Sequence, residues 1–395
     1  MPSSDGNKRT SRPIRILHVL GCMDRGGVET WLMQILRHID RSRFQMDFLV
    51  HTARPGAYDD EVQRLGSRII PCLGARQPWT YATNFMQHLK CYGPYDIVHS
   101  HVDAFSGYVL MLARRAGVAQ RISHSHSNTM RQRKLAHTAR RVYLKVTGEA
   151  IRRYATLGLA AGPQAAEALF GPEWIEHPRR SLIYYGCDLG PFHDHLDAND
   201  VRAEFGIEPG EIVVGHVGRF SEPKNHGFFI DVAAEVARLE PRSRFLLVGE
   251  GELRPFIEQK IRASGLSSRF VLTGARDDVA RLMLGAMDVL LFPSLWEGLP
   301  MTLIESQAAC LPFVGSLAVP EEGVVVPWLT RRLDLDEPVF HWAQAVLDAA
   351  RLRAQVDPLR ALELLEESPF TVAKSVTALA EVYESLVDPP IAKAA

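Results

Sequence analysis

Along most of the chain, short continuous apolar runs alternate with longer segments whose apolar residues recur at helical spacing. IRILHVL, from Ile14, is rich in β-branched and leucine residues, stops at Gly21, and leads through a glycine loop into the helix-like VETWLMQILRHI. The same order returns in FQMDFLV with its polar loop, in the short run RII, in YDIVHSH before GYVLMLARRAG, and in QRISHSHS before a long basic helical stretch. Strands buried on both faces lose polar alternation, so these runs predict a parallel sheet covered by helices on both sides. A second copy begins near residue 211, where EIVVGHVGRF, HGFFIDVAAEVARL, SRFLLVGEG, RPFIEQKIRASG, RFVLTGA, DVARLMLGA, MDVLLFPS and TLIESQAAC alternate strand and helix. The predicted fold class is α/β, with two doubly wound, Rossmann-like domains.

The domain boundaries follow from where the periods stop. Residues 14–185 make the first domain and 201–369 the second, separated by GCDLGPFHDHLDAND (186–200), a linker rich in Pro, His, Asp and Gly. FTVAKSVTALAEVYESLV predicts a last helix over 370–387, and the polar start MPSSDGNKRTSRP (1–13) reads as a disordered tail without the apolar core of a secretory signal. With 395 residues, 46% of them hydrophobic, the chain is long enough for two cores. Forty-five basic against 46 acidic side chains leave a net charge of -1, which argues against nucleic acid as a partner and makes any basic surface local. Five scattered cysteines, none in a CxxC pair, predict neither a disulfide framework nor a cysteine zinc site and fit a reducing cytoplasm. The longest uncharged stretch, between Glu305 and Glu321, is broken by Pro312 and Pro320 and is shorter than the roughly 18–20 apolar residues that span a bilayer.

Ligands of open parallel sheets bind beyond the carboxyl ends of the strands, which directs attention to three loops. After DVLLFPS, the segment LWEGLPMTLIES puts Glu297 in a loop and Glu305 in the first turns of a helix that Pro300 is suited to open. N–H groups near Leu299, Pro300 and Met301, Pro300 itself contributing none, would favour an anion such as a diphosphate at the positive end of that helix. After EIVV, GHVGRFSEPKNH offers Gly215 and Gly218 for close backbone approach, then Arg219 and Lys224 for phosphate. GCMDRGGVE places Gly26 and Gly27 before a helix. Each loop alone also has a plain reading, as solvated helix charge, an everyday surface pair or a tight turn.

Together and in this order, the three loops resemble the family-4 group of retaining glycosyltransferases, which have the GT-B architecture of two domains facing each other across a cleft. The likeness covers roughly residues 14 to 386 and rests on Glu297-GLPMTLI-Glu305 after VLLFPSLW, on GRFSEPKN, on the GGVE loop and on a histidine after the fourth strand. YDIVHSH followed by RISHSHSN is similar to the branch that builds capsular and exopolysaccharides. The resemblance implies a hexosyl-type transferase using a nucleotide-sugar donor, UDP favoured over GDP, and a glycan or lipid-linked acceptor. It implies that Arg219 and Lys224 neutralise the donor diphosphate, Glu305 binds the ribose, Glu297 approaches the donor sugar, and His126 lies on the first-domain side near the reacting carbon, with Gly27 lining the same cleft. No metal and no cofactor are expected, since basic side chains and a helix terminus replace a cation. Departures stand at Cys310, where the family often has Gly, at Tyr185, where it has Asn, and beyond Gly315, where Gly-Gly-x-x-Glu is replaced by LAVPEEGVVVPWLT.

Four histidines, His99, His101, His124 and His126, fall at alternate positions of two central strands and read as structural residues, apart from His126. A His-x-His pair also suits a metal, but no third carboxylate or cysteine follows at ligand spacing. Asp334-Leu335-Asp336 precedes a helix starting near Pro338 and reads as capping and N-terminal charge rather than a metal motif. No carboxylate of the first domain stands out as a covalent nucleophile. RQRKLAHTARRVYLKVTGEAIRR, from Arg131 to Arg153, has eight basic residues against Glu149 and suggests an anionic membrane surface or a solvated helix face. The protein is thus expected in the cytoplasm, or peripheral at the inner face of the cell membrane. A nucleotide-sugar epimerase of the same fold is the alternative; a dehydrogenase or P-loop NTPase lacks its glycine motif here.

Overall fold

The computed structural model describes residues 12–130, 136–194 and 196–387; the expected tail up to residue 11 and Arg131, Arg133, Lys134 and Leu135 of the basic stretch lie outside these. A seven-stranded parallel sheet has the order β3-β2-β1-β4-β5-β6-β7, from β1 Ile14–Leu20, β2 Phe44–Val50, β3 Ile69–Pro71, β4 Ile97–Ser100, β5 Gln120–Ser125, β6 Leu157–Ala160 and β7 Arg180–Leu182. A six-stranded parallel sheet has the order β10-β9-β8-β11-β12-β13, from β8 Ile212–Val217, β9 Ser243–Val248, β10 Phe270–Gly274, β11 Val289–Phe292, β12 Phe313–Ser316 and β13 Thr330–Leu333.

Alternate residues of one strand feed different cores, because successive side chains of a strand point to opposite faces. In β1, Ile16 and Leu20 join one apolar cluster while Leu17 and Val19 join the other. In β11, Leu290 and Phe292 face one way, Val289 and Leu291 the other. Both sheets are therefore the doubly covered kind that unbroken apolar runs predict.

The last helix, Val372–Val387, leaves the second sheet and covers a face of the first. Trp31 Nε1 donates to Ser375 Oγ at 2.9 Å, Gln120 Nε2 donates to the Leu386 carbonyl at 2.8 Å, and the Tyr383 hydroxyl lies 2.8 Å from His99 Nδ1. Where the chain first leaves the seven-stranded sheet, a Cβ on Gly186 would fall 2.5 Å from Val372 Cα, so outgoing and returning strands of backbone pass in contact.

One local expectation is corrected. The helix Val339–Leu352 has Pro338 at its N-cap and no side-chain cap. Asp334 instead accepts from the Asp336 N–H at 3.0 Å, and its carbonyl accepts from Trp342 Nε1 at 3.0 Å. The aspartates build the turn ahead of the helix rather than its cap.

Candidate active site

β8 and β11 are paired neighbours, so the loops leaving their carboxyl ends lie side by side. Leu295 N donates to the Pro223 carbonyl at 2.8 Å and Asn225 Nδ2 to the Pro293 carbonyl at 3.1 Å, tying one loop to the other. Asn225 has a φ of 52°, a left-handed conformation that Asn tolerates better than most residues, and it turns the chain from Lys224 into the helix His226–Leu239. Lys224 Nζ lies 2.7 Å from Glu297 Oε1 and 4.5 Å from the centre of the Phe292 ring. Glu297 is 9% exposed, and this ammonium supplies the opposite charge that a buried carboxylate needs. Gly218 lies under the same lysine, where a Cβ would meet Lys224 Cε at 3.2 Å.

Pro300 occupies the N-cap of the helix Met301–Ala308, which no side chain caps, so its positive end is directed at this corner. Leu299 is buried in the second core, and Met301 packs against the cores of both sheets, at the seam between them. Glu305 is half-buried on the same helix, and desolvation pushes its carboxyl up to about 7. Arg219 is exposed, and its charge is felt in the first domain, where it lowers the pKa values of Cys22 and Glu29 against the larger effect of burial.

The opposing wall is the loop before the helix Gly27–His38 together with the ends of β4 and β5. Gly27 is exposed with open space where a side chain would stand, whereas a Cβ on Gly26 would fall 2.3 Å from Glu29 Oε2. Desolvation raises the Glu29 carboxyl, which lies in the field of Arg219 from across the cleft. The first domain thus does carry a carboxylate at the cleft. The sequence offered one signal for it, the glutamate of GGVE, and its relation to Arg219 exists only in the fold.

His126 lies one residue beyond β5, half-buried, with both ring nitrogens engaged: Nε2 is 2.8 Å from His101 Nδ1, and Nδ1 shares a very short hydrogen bond with the Tyr185 hydroxyl. Burial drops its pKa to about 3, which keeps it neutral at pH 7. What His126 turns to the other domain is its backbone carbonyl, since a Cβ on Gly298 would fall 2.3 Å from that oxygen. Behind it, His101 Nε2 lies 2.9 Å from His18 Nδ1, and His124 Nδ1 lies 3.1 Å from His99 Nε2. His18 escaped the sequence reading, although a histidine inside IRILHVL pairs in register with His99. Tyr185, noted only as a departure, stacks on Trp31 with ring centres 5.0 Å apart.

Two doubly wound parallel sheets with their strand ends facing one cleft make this a protein of the GT-B architecture. HepE of Anabaena, solved with UDP-glucose, superposes with a TM-score of 0.77 at 19% identity, covering 94% of this chain and all of that one. WaaG, a glycosyltransferase involved in lipopolysaccharide biosynthesis, does so with 0.68 at 15% identity, covering 95% and 100%. A profile described as Glycosyl transferases group 1 matches residues 211–337, and a Glycosyl transferase 4-like domain matches 26–185. EpsF of Bacillus subtilis (strain 168), a provisionally named glycosyltransferase, is 36% identical over 374 residues, 93% of this chain and 96% of its own. The capsular polysaccharide biosynthesis glycosyltransferase CapH of Staphylococcus aureus is 25% identical over 297 residues, 74% of this chain and 78% of its own. The chain belongs to the group 1, family-4-like glycosyltransferases, and the epimerase alternative finds no support among these relatives.

Proposed function

We propose that this glycosyltransferase moves a hexosyl group from a UDP-sugar, with retention and without a metal at the diphosphate, to a glycan or lipid-linked acceptor of surface polysaccharide synthesis. The observation that carries the reading is the grouping of Arg219, Lys224, Glu297 and an uncapped helix terminus at adjacent strand ends. Arg219, Lys224 and the helix end stabilise charge on the departing diphosphate. Glu305 takes the ribose, Glu297 the donor sugar, and Gly218, Leu299, Pro300 and Met301 shape the pocket, within a donor domain of residues 201–369. His126 and Gly27 lie in the acceptor-side domain, residues 14–185, His126 near the reacting carbon and Gly27 lining the cleft against the donor. The bond from the anomeric carbon to the diphosphate oxygen breaks as the acceptor oxygen bonds that carbon on the same face, and a phosphate oxygen takes the acceptor proton. The UDP preference is supported by HepE, solved with UDP-glucose. The acceptor class is supported by an Escherichia coli relative, 29% identical over 230 residues, named for transfer from UDP-Gal to a GlcNAc-diphosphoundecaprenol.

A membrane-facing role is supported by the helix Thr138–Tyr154, which buries only Thr147 and Ile151. Val142 and Val146 are 58% and 63% exposed, one turn apart, among the exposed Arg140, Arg141 and Lys145. Among the described residues no helix is long and apolar enough to cross a membrane, so such contact would be peripheral, at the cytoplasmic face.

The test is a calorimetric panel of UDP-, GDP- and ADP-sugars, followed by product analysis with each donor alone and with lipid-linked glycan. UDP-sugar binding and acceptor-dependent transfer are expected. Preference for another base, or conversion of the donor without acceptor, would defeat the reading.

A further inference from the structure

We propose that His101, His124 and His126 form a three-imidazole site for a borderline divalent transition ion, of the zinc, cobalt or nickel kind, at the first-domain wall of the cleft. One ring nitrogen from each lies within 4.8 Å of one from each of the others. The third ligand missing from the linear motif comes from beside the neighbouring strand: His124 lies in β5 and His126 one residue past its end, and His101 lies one residue past the end of β4.

The hydrogen bonds identify which nitrogen each ring would offer. His124 is fully buried, its Nδ1 is held by His99 Nε2, and its Nε2 has no hydrogen-bond partner among the described residues. A buried polar atom without a partner calls for an explanation, and a bound ion is one of the few available. His126 is held at Nδ1 by Tyr185, leaving Nε2; His101 is held at Nε2 by His18, leaving Nδ1; and these two free positions face each other at 2.8 Å. An ion would take the place of the proton now shared between them, that proton moving to the outward nitrogen of the ring that gives it up, and would take His124 Nε2 as third ligand. Each ligand then directs its remaining N–H outward, from His101 to His18, from His124 to His99 and from His126 to Tyr185, the outer support that metal-bound histidines characteristically have. His99 passes its own Nδ1–H to Tyr383, which completes that branch.

Three neutral nitrogens and no oxygen select a borderline ion over magnesium or calcium. Tetrahedral coordination at about 2.0–2.1 Å sets ligand nitrogens about 3.3 Å apart, so the facing pair opens by about half an ångström while His124 closes by at most about 1.5 Å. Three protein ligands leave a fourth position open toward the cleft. A second triple, His18, His99 and His101, shares His101 but lies deeper, whereas His126 is partly exposed and gives an ion a way in.

The full-length protein, treated with chelator and dialysed, is titrated with Co²⁺ and read by the visible absorption of tetrahedral cobalt, then challenged with Zn²⁺. One cobalt per chain is expected, displaced by zinc, with affinity at least about tenfold weaker in His124→Ala and in His101→Ala. His38→Ala, at an exposed helix end, should bind as the wild type does. His124→Gln, checked by circular dichroism, serves if the alanine variants fail to fold, and in the wild type Zn²⁺ but not Mg²⁺ should raise the melting temperature. No tetrahedral spectrum in the wild type, no thermal shift with zinc, or undiminished binding in the folded His124 variant would each overturn the site.

Discussion

Lys224 and Glu297 are joined at 2.7 Å, so the basic loop after β8 and the acidic loop after β11 are already coupled. In the proposed donor site an arriving diphosphate would share Lys224 with a carboxylate, and that carboxylate would be held where a sugar lies.

Glu297→Gln removes one charge of that pair, and Arg219→Ala removes the exposed guanidinium opposite Glu29. Each is expected to lower turnover at least about tenfold, equivalent to about 1.4 kcal/mol of transition-state stabilisation, with circular dichroism unchanged. Steady-state kinetics on the purified variants checks this, and wild-type rates in either would show the donor site to be misplaced.

Gly298→Ala sets a methyl group 2.3 Å from the His126 carbonyl, a clash most easily relieved by holding the domains apart. Because closure assembles the site, turnover should fall at least about tenfold while nucleotide affinity, a property of one domain, stays within a few-fold. His126→Ala should show the same split. Equal loss of binding and turnover, measured by calorimetry and kinetics, would count against a contact across the cleft.

Glu305, raised to about 7, binds a proton in the folded chain that the unfolded chain releases near the ordinary value of 4.5. Between those values the folded state holds more protons, so stability falls as pH rises toward and through 7. Glu305→Gln has no such proton to lose. Its melting temperature relative to wild type should rise between pH 5 and pH 8, by an increment on the order of 1–3 kcal/mol in stability. A difference independent of pH would show that the carboxyl is better solvated than its surroundings indicate.

Chelation should not abolish transfer if, as proposed, Arg219, Lys224 and a helix terminus neutralise the diphosphate. The measurement is the rate after EDTA and gel filtration. Loss of activity restored by Mg²⁺ or Mn²⁺ would place a cation where the basic groups are assigned.

Co-sedimentation with vesicles tests the helix Thr138–Tyr154. Binding should require anionic lipid, weaken with salt, and fall when Arg140, Arg141 and Lys145 are changed to Glu. Equal binding to neutral and anionic vesicles, or none, would leave a solvated helix face.

Much of the fold was legible because β1, β2, β8, β9 and β11 are largely buried on both faces and announce it with runs in which apolar residues fill adjacent positions. LGLA, RSL, FVGS and TRRL were not read as strands: three or four residues carry too little period, and TRRL has arginines at a sheet edge. In the candidate site, Glu297, Glu305, Arg219 and Lys224 are ambiguous loop by loop and become legible through the resemblance of the three segments taken together. Glu29, Tyr185 and His18 do not, because each acquires its partner from a different element. Trp31 and Ser375, hydrogen-bonded across 344 positions, show how little a local pattern reveals of such pairs.

The returning helix also imposes an order on biosynthesis. One face of the first sheet is closed partly by the helix Gly27–His38 and partly by Ser375, Leu379 and Tyr383, so while the ribosome is still making the second domain that face, with Trp31 and His99, lacks part of its cover. Domains generally fold as units, amino-terminal first. Here the amino-terminal unit lacks its last piece of cover until the helix Val372–Val387 leaves the exit tunnel, and a chain truncated before residue 372 would expose the part of that sheet face now under Leu379 and Tyr383.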